Sequence, residues 1–290
     1  MKIAIVSDTN SGITKEEAKE LGVYLVGIPI IVENKTFYEG INITEDELLN
    51  ALESGKNITT SQPSLGNLIE TWNQAFADGY DYIIYIPVSR YLSHAYETAY
   101  ALSFDFEGKV FVVDNHQISL TLRNSILNAK SLVEKGLSAE EIKNILEKDS
   151  ENSFMYFTVD NLKYMKKSGR ISEAMAAIGG FLSIKPILSV KGGIIEFFSK
   201  VRGNVNKCEL RMLEFVKEDL VSKFKAKEFS EFIVGITGVG LSIEKISSFK
   251  SLVLDILKCS EVFYNSAPFS IATHTGRFSE GIGISKKMII

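Results

Sequence analysis

Lys2-Ile3-Ala4-Ile5-Val6 running into Ser7-Asp8-Thr9-Asn10-Ser11-Gly12 decides the fold. A short apolar run without alternation, closed by turn residues, is the pattern of a strand buried on both faces of a parallel sheet. Its polar end lies where open α/β sheets bind their ligands, at the strand's carboxyl end. The same grammar repeats downstream. Thr14 to Leu21 is helical, and Val23 to Val32 reads as a second strand. Thr44 and Glu47 have capping-box spacing ahead of another helix, a role that accounts for Glu47 without acid–base chemistry. Tyr82 to Pro87 and Lys109 to Val113 are further strands, each leading into a polar loop and a helix. The helix from Gln117 to Lys135 stops at Gly136, and Ser138 caps one that runs to Lys148. His116, between the fourth strand and that long helix, is most simply a loop histidine. Strands alternating with helices imply a parallel sheet with right-handed crossovers. At 290 residues two domains are expected, each α/β, over 1–150 and 151–290, with the polar stretch Asp149 to Ser153 between them.

A hydrophobic share of 45% and a charged share of 23% describe an ordinary globular protein. The formal charge of −4 argues against a nucleic-acid partner. Cys208 and Cys259 have neither CxxC spacing nor a nearby histidine, so they read as reduced buried thiols. The apolar run at the start is too short for a signal peptide, and Ala174 to Ile184 is too short to span a membrane. The expected location is the cytoplasm, with membrane contact at most transient.

Ile58-Thr59-Thr60-Ser61-Gln62-Pro63-Ser64 gathers hydroxyls and an amide ahead of an amphipathic run, Leu65 to Phe76. Pro63 turns the chain, and Ser64 is an N-cap. The hydroxyls are expected in a loop beside a helix start, where anions are favoured. Val88 to His94 repeats the arrangement, with Ser93 as the N-cap. In the second half, Phe154 to Val159 is a strand and Asn161 to Lys167 a short helix, broken at Ser168-Gly169-Arg170. Arg170 stands beside Lys166 and Lys167, either on a solvated basic face or as a bidentate fork for an anion. Ala174 to Ile184 is small and apolar around its whole circumference, so it is expected to be buried. Lys185 to Val190 and Gly193 to Phe198 form a hairpin about Gly192-Gly193, with Arg202 after it, and Asn206 to Phe224 is an amphipathic helix. Phe232 to Thr237, a glycine loop, Ser242 to Leu257 and Glu261 to Tyr264 make a βαβ unit. It lacks the third glycine of a dinucleotide fingerprint, and Glu261 opens the second strand where an acid should close it. Thr273-His274-Thr275-Gly276 reads as a ligand loop.

In this order and spacing the chain resembles the DegV family, bacterial fatty-acid-binding proteins that serve as the carrier subunit (FakB) of fatty acid kinase. Ser7-Asp8-Thr9, Thr60 to Ser64, Leu92-Ser93, Leu162 to Ile171, Lys185-Pro186-Ile187, Arg202 and His274-Thr275-Gly276 carry the likeness. The resemblance implies two α/β domains, the first built on a parallel sheet and the second on a mixed one, with a lipid cavity between them. It implies that Thr60, Ser61, Ser93 and His274 hold the carboxyl group of a long-chain fatty acid. Arg170, Arg202 and Gly276 would serve the head group or face the ATP-binding kinase subunit, in a pathway of phospholipid metabolism. No cofactor, metal or catalytic residue is implied. The chain departs from the family pattern in two places. His94-Ala95 replaces Gly-Thr after the Leu-Ser pair, and Arg277-Phe278 replaces Pro-Gly after Gly276.

Two other functions compete with this one. A hydrolase or phosphotransferase would use Ser93 or Ser61 with His274 on the same scaffold. A regulatory protein that binds DNA or another protein is disfavoured by the acidic balance. The chain has no GxxxxGK[ST], no GxSxG and no metal-ligand cluster.

Overall fold

The computed structural model describes residues 1–160, 162–178 and 184–288, apart from the side chains of Ala176 and Ile178. The chain forms two compact units, one of residues 1–151 with 268–270 and one of residues 152–267 with 271–289.

The first unit runs β1 (Ile3–Asp8), α1 (Lys15–Leu21), β2 (Val23–Val26), β3 (Ile30–Val32), β4 (Lys35–Phe37), α2 (Glu45–Glu53), β5 (Ile58–Thr60) and α3 (Leu65–Ala77). It continues through β6 (Tyr82–Ile86), α4 (Ala95–Ser103), β7 (Val110–Val112), α5 (Ser119–Glu134) and α6 (Ala139–Lys148). Its main sheet is parallel, in the order β2-β1-β6-β7. Every residue of β1 is buried, as the continuous apolar run requires. One face of this sheet packs Ala4, Val6, Ile83 and Tyr85 against Leu68, Trp72 and Ala75 of α3. The expected strand from Val23 to Val32 is in fact two. The chain leaves the main sheet after Val26, and Ile30–Val32 pairs antiparallel with β4 and β5 in a separate small sheet. Three of the local caps form as read. Ser64 accepts from Asn67 N at 3.1 Å, and Thr44–Glu47 and Ser138–Glu141 are reciprocal capping boxes.

The second unit runs β8 (Ser153–Thr158), α7 (Lys163–Lys167), α8 (Glu173–Ile178), β9 (Ile184–Lys191), β10 (Ile194–Arg202), α9 (Val205–Ser222), β11 (Phe232–Gly238), α10 (Ile243–Leu257), β12 (Phe263–Ser266), α11 (Phe269–Thr275) and β13 (Glu280–Lys286). The first residues of α11, Phe269 and Ser270, belong to the first unit. The sheet is mixed, ordered β10-β9-β8-β13-β11-β12, with only β11 and β12 paired in parallel. One face buries Tyr156, Ile187, Ile236, Ile282 and Ile284 beneath Met212, Val216, Phe249 and Val253 of α9 and α10.

The expectation of a wholly buried 174–184 segment does not hold for the part that is described. Ala174 and Ala177 are exposed on α8. Residues 179–183 lie outside the described residues. No described helix is long and apolar enough to cross a membrane.

Candidate functional site

In the first unit, the loops after β1 and β6 leave adjacent strands at the centre of the parallel sheet. There the strand order reverses, the position at which such sheets bind ligands. Asp8, fully buried, ties the two loops together. Its Oδ2 accepts from Val88 N and its Oδ1 from Asn10 N, both at 2.9 Å. Burial pushes this carboxyl up to about 6, against the pull of those two amides. Asn10 in turn accepts a 2.6 Å bond from the Ser270 hydroxyl.

The hydroxyl stretch differs from its reading as a loop. Thr59 and Thr60 finish β5, with Thr60 half-buried opposite Ile30, and the turn starts only at Ser61. Ser61 is exposed; its N–H donates to Pro29 O at 3.2 Å and its hydroxyl to Gln62 O at 3.0 Å. Gln62 carries the link that sequence reading missed. Its Oε1 accepts from Thr98 Oγ1 of α4 at 3.1 Å, joining the Thr60–Ser61 stretch to the helix that follows Ser93.

Ser93 is not the N-cap of that helix. The cap position falls on His94, which makes no side-chain cap bond. Ser93 lies one residue earlier, half-buried, with its Oγ accepting from Ala95 N at 3.3 Å. The chain is pinned to Ser89 by Leu92 N and Ser93 N, which displaces the helix start by one residue. His116 packs on Tyr91 and lies 3.2 Å from Asp114 Oδ1, a local structural role.

In the second unit, His274 sits in the last turn of α11, where a loop was expected. It is half-buried, and burial, with Arg170 adding to it, pushes its imidazole down to about 3. The ring is therefore neutral at physiological pH, offering one N–H donor and one acceptor. Arg170 is also half-buried, and burial lowers its guanidinium somewhat. Its Nη1 donates to Ser168 O at 2.6 Å, so part of the fork that a ligand could use is spent on its own turn.

Gly276 ends α11 at φ +75°, and a Cβ there would stand 2.6 Å from the Tyr164 ring. Tyr164, which sequence reading passed over, thereby packs the α7 turn against the His274 segment. Its only sequence signal is its place in the Leu162 to Ile171 run. Arg202, the last residue of β10 and not a residue after it, is exposed opposite Ile184. Next to Arg170 lies an apolar cluster of Val159, Leu162, Met165, Ile171 and Leu188, with Phe157, Met175, Ile195 and Phe197 packed against it.

Against known proteins, residues 2–287 match the family described as "Uncharacterised protein, DegV family". The chain belongs to the DegV family. A DegV domain-containing protein of Deinococcus radiodurans is 35% identical over 204 residues, covering 70% of this chain and 72% of that protein. One from Staphylococcus aureus is 27% identical over 286 residues, 99% of each. Among solved structures, a DegV family protein from Thermus thermophilus, described by its fatty acid binding, superposes with a TM-score of 0.88 at 27% identity, covering 99% of this chain and all of that one. A stearic acid-binding protein from Eubacterium ventriosum gives 0.85 at 25% identity, over 98% of each chain.

Proposed function

We propose that this chain is a cytoplasmic, non-catalytic carrier of a long-chain fatty acid. It presents the carboxyl group to a separate ATP-dependent fatty acid kinase that forms the acyl-phosphate. In this reading Thr60, Ser61, Ser93 and His274 donate to the carboxylate. Arg170 and Gly276 shape the head-group end, and the exposed Arg202 meets the kinase. The apolar cluster beside Arg170 lines the acyl chain, whose burial is worth about 0.8 kcal/mol per CH₂. No resident cofactor or metal takes part.

The observation that carries the reading is the neutral imidazole of His274, close enough to Arg170 to feel its charge. An imidazole held near 3 is a poor general base at neutral pH, because proton transfer is most efficient when the pKa lies near the working pH. This favours a carrier over the Ser/His hydrolase. The fatty-acid-binding relatives favour the same side.

The test is denaturing extraction of the purified protein followed by lipid mass spectrometry. A stoichiometric fatty acid is expected. A protein that arrives empty and takes up neither oleate nor palmitate would overturn the proposal.

A further inference from the structure

On the helix-covered face of the second unit's sheet, three charged side chains meet where water is nearly excluded. Glu280, the first residue of β13, is 2% exposed, and Glu209 of α9 is 3% exposed. Lys245 of α10 stands between them. Its Nζ is 2.8 Å from Glu209 Oε1 and 3.5 Å from Glu280 Oε2, and it donates to Asn206 Oδ1 at 3.2 Å. One ammonium therefore serves two carboxylates. The second oxygen of Glu280, Oε1, is buried with no hydrogen-bond partner.

The other titratable groups near Glu280 are Cys208 on α9 and Lys185 on β9, and Lys185 is already bound to Asp160 at 2.7 Å. With both glutamates ionised the trio of Glu209, Lys245 and Glu280 carries a net negative charge in a low-dielectric setting. Taking one proton makes it neutral. Burial, then Glu209, pushes Glu280 up to about 7, while Lys245 and Lys185 pull it back.

The place of Glu280 in the chain gives this proton a consequence. Glu280 directly follows the segment that leaves His274. Ser279 O accepts from Val239 N at 2.9 Å, Phe278 N donates to Val239 O at 3.2 Å, and the Thr275 and Ser279 hydroxyls lie 2.9 Å apart. The segment is thus tied down at the end where Glu280 enters the sheet.

We propose that Glu280, held by Lys245, is a positioning residue that latches the His274–Ser279 segment while neutral and loosens it when ionised. Loss of the proton sets Glu280 against Glu209 across a single lysine and strains the start of β13. It also adds a negative charge to the unit that bears His274. The effect on ligand rests on the fatty-acid reading above: affinity for a carboxylate falls as pH rises through neutrality. By linkage, binding the carboxylate draws a proton onto Glu280. His274 cannot supply this dependence, because it stays neutral over the whole range.

The experiment compares wild type with Glu280→Gln and Lys245→Gln between pH 6 and 8. One readout is amide hydrogen exchange at residues 275–279, corrected for the intrinsic pH effect; the other is oleate affinity. In wild type, protection of the segment falls with pH and the oleate Kd rises about threefold, the scale of one added like charge near the site. Both are flat in Glu280→Gln. In Lys245→Gln the transition moves to higher pH, because the cation that favours the carboxylate is gone; a transition that stays where it is overturns the latch. Segment protection independent of pH in wild type, or equally dependent in Glu280→Gln, also overturns it. If oleate binds at no pH while the Glu280-dependent change in protection persists, the latch stands and the fatty-acid reading falls.

Discussion

The backbone N–H of Val88 donates to Asp8 Oδ2 at 2.9 Å, joining the loops that leave the two central strands of the first unit across 80 residues of sequence. With Asn10 N on the other oxygen, the carboxyl satisfies two buried amides at once. Asp8→Ala orphans both and is expected to cost about 2–4 kcal/mol in urea unfolding, while Asp8→Asn keeps one acceptor and costs about 1–2. The pH dependence has a definite sign. The folded carboxyl is raised to about 6, so between its ordinary value and that point the native state holds a proton the unfolded chain has released. Stability from this group is full below about pH 4 and is lost as pH rises towards 6. Asp8→Asn flattens that window; an unchanged slope would show that Asp8 is not its source.

Gly276 and Gly169 share a left-handed backbone, at φ +75° and +72°, but differ in their surroundings. A Cβ at Gly169 meets nothing within 4 Å, whereas one at Gly276 meets the Tyr164 ring at 2.6 Å. Gly169→Ala should therefore cost only the backbone term, about 1 kcal/mol. Gly276→Ala adds an overpacking term of about 1–3 kcal/mol. Tyr164→Ala made together with Gly276→Ala should recover part of the second term and none of the first. Equal losses at the two glycines would mean that the ring yields freely.

Features specified by near neighbours could be read from the chain. The fully buried β1, the caps at Ser64, Thr44 and Ser138, and the β9–β10 hairpin about Gly192-Gly193 each depend on residues a few places apart. What could not be read depends on distant partners. The run 23–32 splits because Ile30–Val32 pairs with Ile58–Thr60. His274 lies in a helix although Phe269–Thr275 is rich in Ser, Thr and Ile, weak helix formers. The N–H of Phe269 is met at 3.0 Å by the carboxylate of Glu39, 230 residues earlier, a cap that no local pattern announces. Of the candidate site, the residue types were legible in both stretches. The Gln62–Thr98 link and the Tyr164–Gly276 packing were not, since each is made only by tertiary contact.

Lys191 rests in an aromatic setting, its Nζ 4.7 Å from the Tyr156 ring centroid and 4.9 Å from that of Phe198. Asp219 Oδ2 lies 2.6 Å from that ammonium and accepts the Tyr156 hydroxyl at 2.7 Å. The two halves of this pair should not be equivalent. Asp219→Ala strands a cation among rings and leaves the phenol without its acceptor, at a cost of about 2–3 kcal/mol. Lys191→Met keeps the packing, and Asp219 retains Tyr156 and Lys223, the latter at 3.3 Å, so the loss should be about 1 kcal/mol or less. Chemical denaturation of the two variants decides it, and equal losses would contradict the asymmetry.

His274 should govern stability on the acid side. Burial, then Arg170, holds its imidazole near 3 in the folded chain, far below the ordinary value of 6.5. Between those two values the unfolded state binds a proton that the folded state refuses, so stability rises with pH across the interval. The contribution is complete above about 6.5 and is lost on acidification towards 3, with a slope of at most about 1.4 kcal/mol per pH unit. His274→Gln removes this slope while leaving a hydrogen-bonding side chain in place. Arg170→Met removes the repulsive charge but not the burial, so the imidazole rises only part of the way and the interval narrows from its acid end. Imidazole resonances followed by NMR give the direct check. A ring that titrates near 6.5 in the folded protein would mean that water reaches it, and both variants would then leave the acid limb unchanged.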